Sequence, residues 1–95
     1  MAAYIIIDVE VTDEATYEGL AERAATAVQA HGGRHLVRAG SATVLQGGWK
    51  PRRLVVVEFD SAETARRWRS SSDAIELREK LNRVSNANIV MVEGK

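Results

Sequence analysis

Three short segments, YIIIDVEV at residues 4–11, LVVVEF at 54–59 and NIVMVE at 88–93, carry aliphatic or β-branched side chains at consecutive positions rather than at alternate ones. That density of β-branched residues over so short a span specifies strands. Successive side chains of a strand point to opposite faces, so a run that is apolar at both parities has two faces to keep from water. A chain of 95 residues builds one core, which makes residues 1–95 a single domain. A domain of this size buries only about 60–65% of the surface its unfolded chain exposes, so it gains much from further burial by self-association.

The segments between these strands supply the helices. From Asp13, an N-cap residue type, Tyr17, Leu20, Ala21, Ala24 and Val28 fall on one helical stripe that ends at His31 and Gly32. Residues 34–46, RHLVRAGSATVLQ, read as a strand interrupted by Gly40 and Ser41; GGWKP forms a loop, and residues 52–59 return as the second arm of a hairpin. Asp60 and Glu63 have the capping-box spacing and open a short helix that turns Ala65 and Trp68 inward. The cluster SSSD interrupts it, and Ala74, Leu77, Arg78 and Leu81 continue a helical stripe to about Leu81. The order β-α-β-β-α-β predicts an α+β fold of the ferredoxin-like kind, with both helical segments on one face of a four-stranded antiparallel sheet. Helices on one face leave the other bare. The same face of a second copy is the simplest cover, giving a face-to-face homodimer that forms a dimeric α/β barrel.

Composition narrows the partners. Thirteen Lys and Arg balance thirteen Asp and Glu, so no long-range field draws the chain to nucleic acid or to an anionic membrane. There is no cysteine, which removes disulfides, thiolate nucleophiles and thiolate metal sites from consideration. The N-terminal MAAYIIIDVEV lacks a basic leader and its apolar run is broken by Asp8 and Glu10, so no signal peptide or membrane span is expected and the protein is expected to be cytoplasmic.

Alternation along the first strand places Tyr4, Ile6, Asp8 and Glu10 on one face and Ile5, Ile7, Val9 and Val11 on the helix-facing side. Asp8 then points into a cleft, joined by Leu36 and Arg38 if the second strand presents that face, and by Leu54, Val56 and Glu58 of the third. Asp8, Arg38 and Glu58 become candidate polar anchors of a small-molecule ligand, with Tyr4 and Trp68 as apolar wall; the competing reading is a charge cluster that satisfies itself at a dimer interface. His35 is the one candidate imidazole base, and Asp8 the alternative base. His31 and His35 are separated by the helix-ending Gly32 and Gly33, so they do not form a helical metal pair, and no metal is expected. Trp49, Lys50, Arg52 and Arg53 are too few cations for a nucleic-acid footprint and are expected to pack over a neighbouring strand or a partner chain, with the arginines pairing outward. No helix follows Gly47 and Gly48, so they make no phosphate loop and no cofactor is expected; Ser70, Ser71 and Ser72 read as a helix break and cap.

The strings YIIIDVEVTD with a following tyrosine, GGRHLVRAG, VLQGGWKPRRLVVVEFDS and the terminal VEG together resemble the domain-of-unknown-function 1330 family of the dimeric α/β-barrel superfamily. The resemblance spans nearly the whole chain and weakens after Trp68, where Ser71, Ser72, Asp73 and Ala74 replace a Ser-Pro-Glu-Tyr stretch. It implies a ferredoxin-like protomer and a barrel-like dimer, and no assigned activity. Three functions remain open: a homodimer binding a small organic molecule, anionic or aromatic, in the barrel cleft; a cofactor-independent enzyme of the monooxygenase, isomerase or decarboxylase type; and a structural dimer without ligand.

Overall fold

The computed structural model describes residues 1–38 and 40–95. Its elements run β1 (Ala3–Val11), α1 (Glu14–Ala30), β2 (Arg34–Gly40), β3 (Leu54–Phe59), α2 (Ala62–Arg69), α3 (Ser72–Leu81) and β4 (Ser85–Glu93). The strands form one antiparallel sheet in the order β2-β3-β1-β4. This is the ferredoxin-like arrangement expected from the strand and helix order, with the second helical segment divided in two. The smallest dimension of the molecule, 15 Å against 32 and 31 Å, is that of a single sheet under a single layer of helices.

Local chemistry explains the boundaries. The Asp13 carboxylate accepts a hydrogen bond from the Thr16 amide at 3.3 Å and caps α1. Gly32, at φ +88°, takes the left-handed turn that ends the helix. Gly33 then passes so close to the core that a Cβ there would lie within 2.9 Å of the Phe59 ring and closer still to Val28. Between α2 and α3, Ser70 closes one helix and Ser71 opens the next by accepting from the Ala74 amide at 3.4 Å. The serine cluster is thus a break and a cap, as its composition predicts.

Besides the start of β3 at Leu54 rather than Arg52, four boundaries or facings differ from the sequence expectation. Residues 41–46 are not a strand: β2 stops at Gly40, which lies opposite Leu54 at the very start of β3, so the residues beyond have no ladder partner. The cap of α2 is Ser61, whose hydroxyl accepts from the Thr64 amide at 3.1 Å, rather than Asp60, which is engaged by Arg34. β4 begins at Ser85 rather than Asn88, because β1 offers partners down to Val11 and pairing outweighs the weak strand preference of the Ser-Asn-Ala-Asn run. The fourth concerns β2. Bulges between His35 and Val37 and between Arg38 and Gly40 break its alternation, placing Arg34 and Val37 beside the outer-face residues Glu58 and Val56, and His35 and Arg38 beside the helix-facing Val57 and Val55.

Two clusters form the core under the helices. Ala3, Ile5, Val28, Val57, Phe59, Ala62 and Ala65 make one, with Trp68 packed on it; Val9, Tyr17 and Val84 make the other, joined by Leu20 and Leu81. Ile7 touches both. The outer sheet face carries Tyr4, Ile6 and Asp8 on β1, flanked by Glu58, Val56 and Leu54 on β3 and by Val92, Val90 and Asn88 on β4. Leu36 and Val90 are each 54% exposed, an apolar surface that the protomer itself leaves uncovered.

Candidate functional site

Where the two core clusters meet, the sheet and helices part to leave a cavity of about 430 Å³. Ile7, Val9, Val55 and Ile89 line its floor, and Trp68, Leu77 and Leu81 come down from the helices. Trp68 is fixed there by its tilted stack on Phe59, with ring centroids 5.4 Å apart. The volume is in the range of about 300–1,000 Å³ typical of small-molecule sites, and the wall is mostly apolar with a few polar groups.

His35 is one of those polar groups. Its position opposite Val57 in β2 turns it to the helix side of the sheet, where it lines the cavity. Its Nδ1 is buried without a hydrogen-bond partner among the described residues, an unpaired state that few buried polar atoms retain. Burial first, and the nearby Arg38 charge second, push its pKa below the ordinary 6.5 and hold the ring neutral at pH 7. In the unfolded chain the ring takes up a proton at higher pH, so its neutral burial contributes stability fully above about 6.5 and loses it as the pH falls through that value. The carboxylates whose pKa values are lowered by partners, Asp8, Glu14, Glu58, Asp73 and Glu76, lose their contribution only below their ordinary 3.8 to 4.5. Between pH 7.5 and 5 the melting temperature is therefore expected to fall, and His35→Phe to flatten that slope. An equal slope in the variant would place the imidazole in water.

Arg38 also lines the cavity, and its guanidinium reaches across to Glu22 of α1 at 2.6 Å. Arg53 pairs with Glu14 at 2.9 Å and lies over the Tyr17 ring, 5.3 Å from its centroid. Burial pushes the Tyr17 phenol up, and the Arg53 charge opposes that.

The proposed cluster of Asp8, Arg38 and Glu58 does not assemble. The β2 bulge carries Arg38 to the helix side, whereas Asp8 and Glu58 stay on the outer face. Each outer-face carboxylate has its own partners. Asp8 accepts from the Trp49 indole N–H and from the Arg52 amide, both at 2.9 Å, and these bonds, the Trp49 one foremost, hold its carboxyl below the usual range. A carboxylate so engaged is a poor base, which sets Asp8 below His35 as a candidate. Glu58 is gripped by Arg34 at 2.7 Å and lowered chiefly by that bond; its hydrogen bond with Tyr4 raises the Tyr4 phenol in turn. Of the five expected ligand-binding residues, Arg38 and Trp68 line the cavity with His35, while Asp8, Glu58 and Tyr4 lie on the opposite side of the sheet.

The basic aromatic segment before β3 is tied down rather than presented. Trp49 bonds Asp8, Arg52 approaches Glu10 at 3.4 Å and Arg53 holds Glu14, so the loop is stitched to β1 and to the start of α1. His31 lies 3.3 Å from the Asp73 carboxylate, joining the end of α1 to α3. Two further cavity residues, Arg69 and Arg78, were not singled out by the sequence as a pair. The inward stripe through Leu77, Arg78 and Leu81 was the available signal for Arg78; nothing in the sequence brings it together with the last residue of the preceding helix.

The family model described as domain of unknown function (DUF1330) matches residues 2–95. No curated protein matches the sequence. Among solved structures, a protein of unknown function from Rhodopseudomonas palustris is similar with a TM-score of 0.76 at 9% identity, over 99% of this chain and 82% of that one. SnoaB, a cofactor-independent oxygenase from Streptomyces nogalater, is similar with a TM-score of 0.71 at 16% identity, over 99% of this chain and 93% of that one. Rv0793 from Mycobacterium tuberculosis follows the same fold with a TM-score of 0.62 at 11% identity, over all of this chain and 96% of that one. At such identities the likeness is one of fold.

Proposed function

From the premise that this chain belongs to the DUF1330 family, we propose that it is a homodimer in which each protomer binds a small organic molecule in the cavity between sheet and helices. The observation that carries the reading is His35: a neutral imidazole on the wall of a cavity of about 430 Å³, with a buried nitrogen that has no partner among the described residues. A ligand hydroxyl or carboxyl group would supply one. Arg38, paired with Glu22, lies on the same wall, and Trp68 adds a flat apolar surface. Asp8, Glu58 and Tyr4 take a different part in this proposal, as polar contacts within the outer face against which the second copy packs.

A second reading is favoured by the placement of His35: a neutral imidazole on the cavity wall, with a ring nitrogen unengaged among the described residues, can accept a proton from a phenol or an acidic C–H group. SnoaB, whose fold this chain shares at 16% identity, is a cofactor-independent oxygenase. His35 is the base in this reading.

Screening aromatic acids and phenols by NMR tests the binding proposal, with the two histidine side chains as reporters. Binding compounds are expected to shift the His35 resonances and to leave His31, paired with Asp73 outside the cavity, unchanged. Compounds that shift outer-face residues and spare His35 would move the site to the other side of the sheet. A hit consumed with oxygen uptake, and no longer consumed by His35→Gln, selects the catalytic reading.

A further inference from the structure

Four arginines line the cavity, and they are not equivalent. Glu22 neutralises Arg38 at 2.6 Å, and Glu14 neutralises Arg53 at 2.9 Å. Among the described residues, no carboxylate lies within 4.0 Å of the guanidinium group of Arg69 or of Arg78. Arg69 is the last residue of α2; Arg78 follows the buried Leu77 on the inward side of α3. The break at Ser70 and Ser71 folds the two helices so that both side chains reach the same cavity wall. Burial first and the Arg78 charge second lower the pKa of Arg69.

Arg69 and Arg78 each lie in the last turn of their helix, where the dipole favours a cation, but the dipole does not direct their side chains to the cavity. Two unanswered like charges beside an apolar chamber repel one another and are poorly solvated on the chamber side. An oxyanion bridging them reverses both penalties, since guanidinium groups bind carboxylate-like groups through paired, charge-assisted hydrogen bonds. The adjoining wall determines what is attached to that oxyanion. Trp68, one residue before Arg69, and Val55 and Leu77 present an apolar surface suited to a flat ring or an alkyl body.

We propose that Arg69 and Arg78 form an anion clamp at the α2–α3 end of the cavity, and that the natural ligand is an organic anion whose oxyanion sits in the clamp while its apolar or aromatic body fills the chamber. This rests on the cavity being the ligand site, and adds the substrate class to it. The neutral His35, on β2, is then left to meet a second polar group of the same ligand.

Two probes of one skeleton separate the clamp from the chamber: 8-anilinonaphthalene-1-sulfonate, an anion, and N-phenyl-1-naphthylamine, which is uncharged, each titrated by fluorescence. Arg69→Met/Arg78→Met is expected to weaken the sulfonate by at least about tenfold, the scale of a lost charge-assisted contact, and to leave the amine within about twofold. Arg66→Met, a basic change on the same helix outside the cavity, is expected to alter neither. Ala87→Phe, which projects a ring from β4 into the chamber, is expected to weaken both probes. If the double variant binds the sulfonate as Arg66→Met does, while Ala87→Phe still weakens both probes, the clamp is refuted and the cavity stands. If Ala87→Phe changes neither probe, the cavity itself is not the site and the clamp falls with it. Arg69 is exposed and ends its helix, so Arg69→Gln, with an unchanged melting curve, repeats the test should the double variant fail to fold.

Discussion

Phe59→Ala is expected to cost about 3–5 kcal/mol of unfolding free energy, measured by urea denaturation. Phe59 is fully buried at the end of β3 and is the largest side chain of the first core cluster. Its surroundings are poorly able to close over the space it would leave. Gly33 is held against one side of the ring by the α1 turn, and the sheet backbone fixes another through the pairing of Phe59 with Ala3. Trp68 is the neighbour most free to move, and its movement would remove the wall of the ligand cavity. The loss is a large share of the roughly 5–15 kcal/mol that holds a typical domain together. Phe59→Leu, which keeps most of the volume, is expected to retain more than half of the difference and to preserve the environment of Trp68 in its fluorescence. A loss of less than about 1 kcal/mol in the alanine variant would contradict the core as described.

The strands and helices were legible because their patterns are set locally. Runs such as IIIDVEV and LVVVEF announce strands apolar on both faces, the stripe from Tyr17 to Val28 announces one helix face, and the serine cluster announces the break after α2. The site was less legible, and one bulge explains most of the difference. Strict alternation along β2 puts Arg38 on the same side as Leu36; the bulge between His35 and Val37 moves it across the sheet, from Asp8 and Glu58 to Glu22. A single unpaired residue therefore dissolved the expected three-residue cluster, and alternation contains no warning of it. His35 was marked by its chemistry as the one candidate imidazole base, while the face it takes depended on register with Val57. The Arg69 and Arg78 pair illustrates the complementary difficulty: proximity across a helix break depends on the angle of the break, which three serines do not encode.

The dimer is a proposal that one surface substitution tests with a large effect. Ile6 lies at the centre of the outer face, between Val56 of β3 and Val90 of β4, and is only partly covered in the protomer. If that face stays in water, Ile6→Asp exchanges a half-exposed apolar side chain for a solvated one and costs the protomer little. If two copies pack there face to face, the same change places a carboxylate without a partner in a dry interface, and twofold symmetry delivers the penalty twice. Sedimentation of the parent chain at micromolar concentration is expected to give twice the 10.4 kDa monomer mass. The variant is expected to raise the dissociation constant by about a thousandfold or more and to sediment as a folded monomer with unchanged far-ultraviolet dichroism. Glu58 and Asp8 do not produce this effect in the parent chain because each already holds its own donors, Arg34 for one and Trp49 with the Arg52 amide for the other, so they enter an interface with their charges answered. An aspartate at position 6, flanked by two valines, has no such donor. A variant that remains dimeric would show that the copies meet elsewhere, and a parent chain that sediments as a monomer would leave the apolar outer face without the cover proposed for it.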